Sequence, residues 1–180
     1  MAKTLDIDFL RECLTYEAAT GLLFWKKRPR EHFSSSNAHA SWNSQHAGAR
    51  AGSPNVKRRW STKIKLELYQ NHRLAWALHY GCWPDDQIDH INGDPEDNRI
   101  ANLRVVSNAE NQRNASRKAT NTSGATGVSW HRRDKIWHVS IRGGGRPRYL
   151  GSFHSLDQAV AVRKAAEREY GYHHNHGRAK

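Results

Sequence analysis

The sequence predicts an α+β protein of two small units: a strand–loop–strand–helix unit, and a three-stranded antiparallel sheet packed on one helix. Three observations predict it. Strand and helix periodicities alternate in short runs, with turn residues between them. Leu, Ile, Val and Phe number only 30 of 180 residues, while 7 Trp and 20 Ala supply further apolar surface. That balance favours small, thinly built cores over one large one. Charge is also segregated. Residues 112–180 hold 14 of the 29 Lys and Arg but only 4 of the 17 Asp and Glu, and so carry most of the net charge of +12.

Such a basic stretch attracts a polyanion, because each neutralised phosphate releases condensed counterions. DNA, RNA and an anionic membrane surface would all satisfy that field. No apolar run approaches the 18 residues of a membrane span. The N-terminal residues, MAKTLDIDFLREC, scatter charges through their apolar positions and lack the pattern of a signal peptide. Two cysteines, Cys13 and Cys82, build neither a disulfide framework nor a four-cysteine zinc site. A reducing, cytoplasmic setting is therefore expected.

Along the chain, a short amphipathic helix is expected over 6–14, with Phe9, Leu10, Cys13 and Leu14 on one side. Thr20-Gly21 breaks it, and Leu22-Leu23-Phe24-Trp25 reads as a buried strand. Residues 31–58, rich in Ser, Asn, Ala, Gly and His, read as a long loop. Trp60 to Leu68 alternates with period two, as a single half-buried strand does. His72 to Tyr80 reads as a helix stopped by Gly81.

The segment that follows carries the chemistry. Ile88-Asp89-His90 is a strand that enters a tight loop, Leu103 to Val106 is a second strand, and Ser107 opens a helix with Glu110 at capping-box spacing. A closed hairpin would bring Asp89, His90 and the helix-borne Asn111 together. Asp89 and Asn111 offer the oxygen ligands that magnesium takes. His90 can accept a proton from water near neutral pH, with an ordinary imidazole pKa of ~6.5. Asn102 is suited to bracing the loop and orienting His90. His72 either approaches this site from the preceding helix or simply satisfies the helix start.

The run Asp89-His90 to Asn111 resembles the HNH, or ββα-metal, nucleases of the phage and intron homing-endonuclease branch. Every written position of D-H-x-x-G-D-x-x-D-N-x-x-x-N-L-R is filled here, and His72-Arg73-Leu74-Ala75-Trp76 and Trp83-Pro84 also resemble that branch. The resemblance implies Asp89 and Asn111 as metal ligands, His90 as general base and Asn102 as the structural asparagine. It also implies one Mg2+ or Mn2+ per active site, with no small-molecule cofactor. Double-stranded DNA would be hydrolysed to 5′-phosphate and 3′-hydroxyl ends. Asn at the third signature position, where many relatives carry His, leans the metal choice away from zinc or nickel.

After a polar stretch read as a linker (112–126) comes the second unit, 127–172, followed by a tail, 173–180, expected to be flexible. Residues 127–133, 136–142 and 148–153 alternate as three strands, with Gly143-Gly144-Gly145 as a turn. Ser155 caps a helix whose inner face is expected to carry Ala159, Val162, Ala166 and Tyr170. With Trp137, Val139 and Ile141 turned to that helix, alternation sends His138, Ser140 and Arg142 outward. Ser129, His131 and Arg133 are expected on the same outer face, with Arg148 or Tyr149 at its edge. Gly127-Val128, Trp137 to Arg142 and Tyr149 to Phe153 resemble the APETALA-type, ethylene-response-factor DNA-binding domain, in which the sheet enters the major groove.

The expectation is thus a metal-dependent DNA endonuclease with a DNA-addressing sheet. A DNA-binding regulator with an inactive nuclease fold, and a restriction or RNA-directed nuclease, are its rivals. The tail histidines His173, His174 and His176 are read as a polar end more readily than as metal ligands.

Overall fold

The computed structural model describes residues 5–113, 117, 119–143, 146–173 and 176–178, in two compact units, Met1–Val105 and Val106–Lys180. Gly144, Gly145 and His174 lie outside the described residues. No described helix is long and apolar enough to cross a membrane.

In the first unit, α1 (Ile7–Cys13) starts at Asp6, whose carboxylate accepts from the Phe9 backbone N–H at 3.0 Å. It buries Leu10 and Cys13. The chain then runs straight into β1 (Leu14–Glu17), which pairs antiparallel with β2 (Leu22–Trp25). The expected strand 22–25 thereby gains a partner that periodicity does not reveal.

The expected loop 31–58 is largely helical, because α2 (Ser36–His46) occupies its middle. This helix buries no residue, so it has no apolar stripe to read in the sequence. It is held by the Ser35 cap and by Trp42, whose ring meets Trp25 at 5.1 Å and Phe33 at 5.7 Å, with the Arg28 guanidinium 4.9 Å above it.

A three-stranded sheet follows, made of β3 (Ser53–Pro54), β4 (Trp60–Ile64) and β5 (Glu67–Gln70). The single strand expected over 60–68 is in fact a hairpin. Lys65 and Leu66 form its two-residue turn, at φ 49° and 68°. That turn geometry normally draws Asn or Gly, so Lys-Leu gives no turn signal. Next, α3 (Asn71–Tyr80) ends at left-handed Gly81. Its Leu74 and Ala77 pack with Leu10, Cys13, Leu14, Leu23, Ala51 and Ile64 in the main core. Each fully buried Leu or Ile there contributes roughly 1.5–3 kcal/mol. Finally β6 (Gln87–His90) pairs with β7 (Leu103–Val106), and Ala75, Ile88 and Leu103 form a second small core.

The second unit contains α4 (Asn108–Arg113), β8 (Val128–His131), β9 (Ile136–Gly143), β10 (Arg146–Phe153) and α5 (Leu156–Glu169). The strands form one antiparallel sheet with β9 central. Val128 and Val139 pack on Ala159 of α5, together with Ala125.

Three expectations change here. The inner stripe of α5 contains Ala159, Arg163, Ala166 and Glu167, while Val162 and Tyr170 are only half-buried. Arg163 and Glu167 are admitted because they pair at 3.0 Å and Arg163 also donates to the Ser140 carbonyl. The stretch 112–126 is not simply a linker, since Ser123 and Ala125 are buried and the Ser123 hydroxyl donates to the Val128 carbonyl at 2.7 Å. Nor is the tail wholly free. His176 is buried against the Tyr172 ring at 4.7 Å, and the Arg117 N–H bonds the Arg178 carbonyl at 3.0 Å.

Candidate active site

Asp89 and His90 stand at the end of β6, and both are buried, at 8% and 7% exposure. Successive strand residues face opposite sides, so the carboxylate and the imidazole diverge. The two have different partners. Asp89 Oδ2 accepts from Arg104 Nε at 3.1 Å and Nη2 at 2.8 Å across the strand pair. His90 Nε2 lies 3.0 Å from Asn98 Oδ1. An amide oxygen only accepts, so Nε2 carries the hydrogen and Nδ1 keeps the lone pair.

Asn98, and not Asn102, therefore orients His90. Asn102 serves the loop itself: its Oδ1 accepts from the Asn92 N–H at 3.0 Å, and its Nδ2 donates to Asn92 Oδ1 at 3.0 Å and to the Asp97 carbonyl at 2.8 Å. Asp97 in turn takes Arg99 Nε at 2.8 Å, and Arg99 holds its carboxyl below the usual range. Because Asn98 has a partner in its own right, the D-N pair at 97–98 is a signal that could have pointed to it.

Behind Asn98 stands the N-terminal hairpin. The Tyr16 hydroxyl donates to the Asn98 carbonyl at 2.9 Å, and burial pushes its pKa up to about 12. Gly21, at φ 76° in the β1–β2 turn, lies against the same backbone. A Cβ there would sit 2.5 Å from Arg99 N and 2.6 Å from the Asn98 carbonyl carbon. Neither contact has a signature in the sequence.

His72 on α3 meets the His90 ring edge-on, with centroids 5.3 Å apart. Burial, followed by the neighbouring His90 and Arg59 charges, pulls its pKa down to about 3. It is a neutral packing partner of His90. Burial also lowers the pKa of His90, against the raising effect of the Asn98 hydrogen bond. The imidazole thus departs from the unperturbed value expected from sequence, in the direction that keeps it neutral at pH 7.

Asn111 lies in α4 of the second unit, half-buried, its N–H bonded to the Ser107 carbonyl at 3.0 Å. The capping box that starts this helix is formed. Ser107 N–H donates to Glu110 Oε2 at 2.8 Å, and Glu110 N–H to Ser107 Oγ at 3.3 Å.

A hard divalent ion fits the chemistry of the Asp89 carboxylate. Its oxygens are the donor class of magnesium, which keeps most of its waters. Among the described residues no cluster of three His, Cys, Asp or Glu could cage an ion, so a closed zinc-type site is absent from them.

On the second unit's sheet, Ser129 pairs with His138, Ser140 with Tyr149, and His138 with Ser152, so these side chains share one face. The His131 and His138 rings stack at 4.6 Å, and Tyr149 meets His138 edge-on at 5.8 Å. Arg142 is on this face and exposed. Two expected members are elsewhere. Arg148 pairs with Ile141, whose side chain is buried on the helix side, and its guanidinium lies 5.7 Å from the Tyr170 ring. The bulge between Tyr149 and Gly151 shifts the register that alternation assumes. Arg133 falls beyond β8 in the turn and is spent on Asp134 at 2.7 Å.

Comparison with known proteins addresses the strand–loop–strand–helix segment. Residues 69–113 match the HNH endonuclease family. The HNH segment therefore spans β5 through α4, with Asp89, His90, Asn98, Asn102 and Asn111 inside it. The chain is also similar to Protein 3.8 of Escherichia phage T7, 27% identical over 114 residues that cover 63% of this chain and 94% of that protein. No solved structure matches.

Proposed function

We propose that this protein is a divalent-metal-dependent DNA endonuclease. The reading rests on one observation above all: inside the HNH segment, His90 Nε2 lies 3.0 Å from Asn98 Oδ1, which leaves Nδ1 as the basic nitrogen. Nδ1 accepts a proton from water, and the water oxygen attacks phosphorus. The 3′-oxygen leaves and takes a proton from solvent, giving 5′-phosphate and 3′-hydroxyl ends. Asp89 and Asn111 would hold the Mg2+ or Mn2+ ion, which supplies charge stabilisation at the scissile phosphate. Asn98 and His72 hold the base, while Asn102 keeps the loop closed.

The second unit supports DNA as the substrate. Its outer sheet face carries Ser129, His131, His138, Ser140, Arg142 and Tyr149, groups that can donate to phosphates and to base edges in a duplex. We assign it the role of addressing double-stranded DNA, as in the APETALA-type domain that it resembles.

Supercoiled plasmid tests the proposal. Wild-type protein with Mg2+ should give nicked or linear product, and chelator should abolish it. His90→Ala should slow cleavage by roughly 10²–10⁴-fold while DNA binding survives. Cleavage by His90→Ala at the wild-type rate would falsify the assignment of the base.

A further inference from the structure

The loop that joins β3 to β4, residues 55–59, is built more firmly than a solvent loop requires. Asn55 Oδ1 accepts from the backbone N–H of Lys57 at 2.9 Å and of Arg59 at 3.1 Å. The Asn55 N–H bonds the Arg59 carbonyl at 2.9 Å, and the Arg58 N–H bonds the Asn55 carbonyl at 2.8 Å. Arg58 adopts a left-handed conformation, φ 61°, which a long side chain rarely takes. Its guanidinium pairs with Glu96 and lies 3.9 Å from Asp94. Glu96 is two residues before Asn98, the residue that holds His90. The loop is thereby fastened to the loop that positions the base.

This rigid loop displays side chains that the fold does not use. Val56 at the tip is fully exposed, at 101%. Lys57 and Arg59 are exposed, and among the described residues neither has a carboxylate partner, in contrast to Arg58. An exposed guanidinium without a carboxylate partner, on a loop fastened through Arg58 to Asp94 and Glu96, is open to an anion.

We propose that Arg59 holds a DNA backbone phosphate next to the one under attack, with Arg58 as the anchor of its loop and Val56 leading into the groove. The inference rests on the nuclease reading above and names a substrate-positioning residue within it. A guanidinium fork matches two phosphate oxygens, a fit that an ammonium lacks. An exposed aliphatic tip next to a run of cations, Lys57 to Arg59, suits the sugar-lined walls of a minor groove. Since this phosphate is held equally before and during the reaction, its loss should raise KM and leave kcat nearly unchanged.

The test uses the full chain with Arg59→Gln and Arg59→Lys, on a plasmid and on duplex oligonucleotides cut from its cleavage region. Arg59→Gln should keep the wild-type Tm, raise KM by roughly ten- to hundredfold, and lower the salt slope of DNA binding by about one unit. Arg59→Lys should retain the slope and recover KM only in part. Arg59→Gln with unchanged KM and salt slope, in an enzyme that cleaves, overturns the proposal, as does a fall in kcat alone. A wild-type protein that binds DNA without cutting it overturns the nuclease reading instead, and the salt slope still decides whether Arg59 touches phosphate.

Discussion

Arg104 on β7 donates from Nε and Nη2 to the same oxygen, Oδ2, of Asp89 on β6, at 3.1 and 2.8 Å. The guanidinium thus occupies one side of the carboxylate proposed to bind the metal. Arg104 both aims the carboxylate and neutralises it, so a cation at Asp89 has to share the charge with it.

Replacing Arg104 by Gln removes the guanidinium from a carboxylate of 10% side-chain exposure. In chelator the variant should lose about 1–3 kcal/mol of stability. Added Mg2+ should restore part of that loss, and should raise the Tm of the variant more than that of the wild type. Thermal unfolding with and without the ion measures both. An equal Mg2+ response in the two proteins would show that the ion and Arg104 do not meet at Asp89.

Asn98→Ala removes the acceptor of the His90 hydrogen. The ring is then free to change tautomer, and kcat should fall roughly 10–100-fold, the usual effect of losing a group that orients a functional histidine. Nitrogen-15 spectra of the wild type should report the hydrogen on Nε2 of His90, and spectra of the variant a mixture. A single unchanged tautomer in Asn98→Ala would assign the orientation to another group.

Gly21→Ala tests the support given by the N-terminal hairpin. Its Cβ would collide with the Asn98–Arg99 backbone, whereas Gly48 shares a positive φ (83°) and has nothing within 4 Å. Both substitutions carry the conformational strain, about 1–2 kcal/mol. Only Gly21→Ala should add a steric loss and reduce cleavage. Equal activity of the two variants, with equal Tm, would show that the hairpin yields without disturbing Asn98.

The buried imidazoles set a pH dependence of stability. His72 titrates near 3 when folded and near its ordinary 6.5 when unfolded. Above about 6.5 neither state binds the proton. Below it the unfolded chain does and the native site refuses, so stability falls as the pH drops towards 3, by up to about 1.4 kcal/mol per unit. The lowered pKa of His90 acts in the same direction. Urea midpoints at pH 7 and pH 5 should differ accordingly, and His72→Phe, which keeps the ring packing, should flatten the difference.

The sequence by itself determined the parts whose physics is local. The Ser107–Glu110 capping box, the alternation of β8 and β9, and the order Asp89, His90, Asn102, Asn111 along one strand–loop–strand–helix string are readable because they depend on neighbours a few residues away. Tertiary structure decided the rest. Lys65-Leu66 turns a strand into a hairpin in a conformation that neither residue favours, so no propensity marks it. Arg163 enters the core beside Glu167 because burial of a pair depends on both partners, and a hydrophobic pattern counts neither. Tyr16 and Gly21 reach Asn98 across about 80 residues of chain. Such contacts form only once two backbones are packed together, and spacing along a sequence carries no record of that approach.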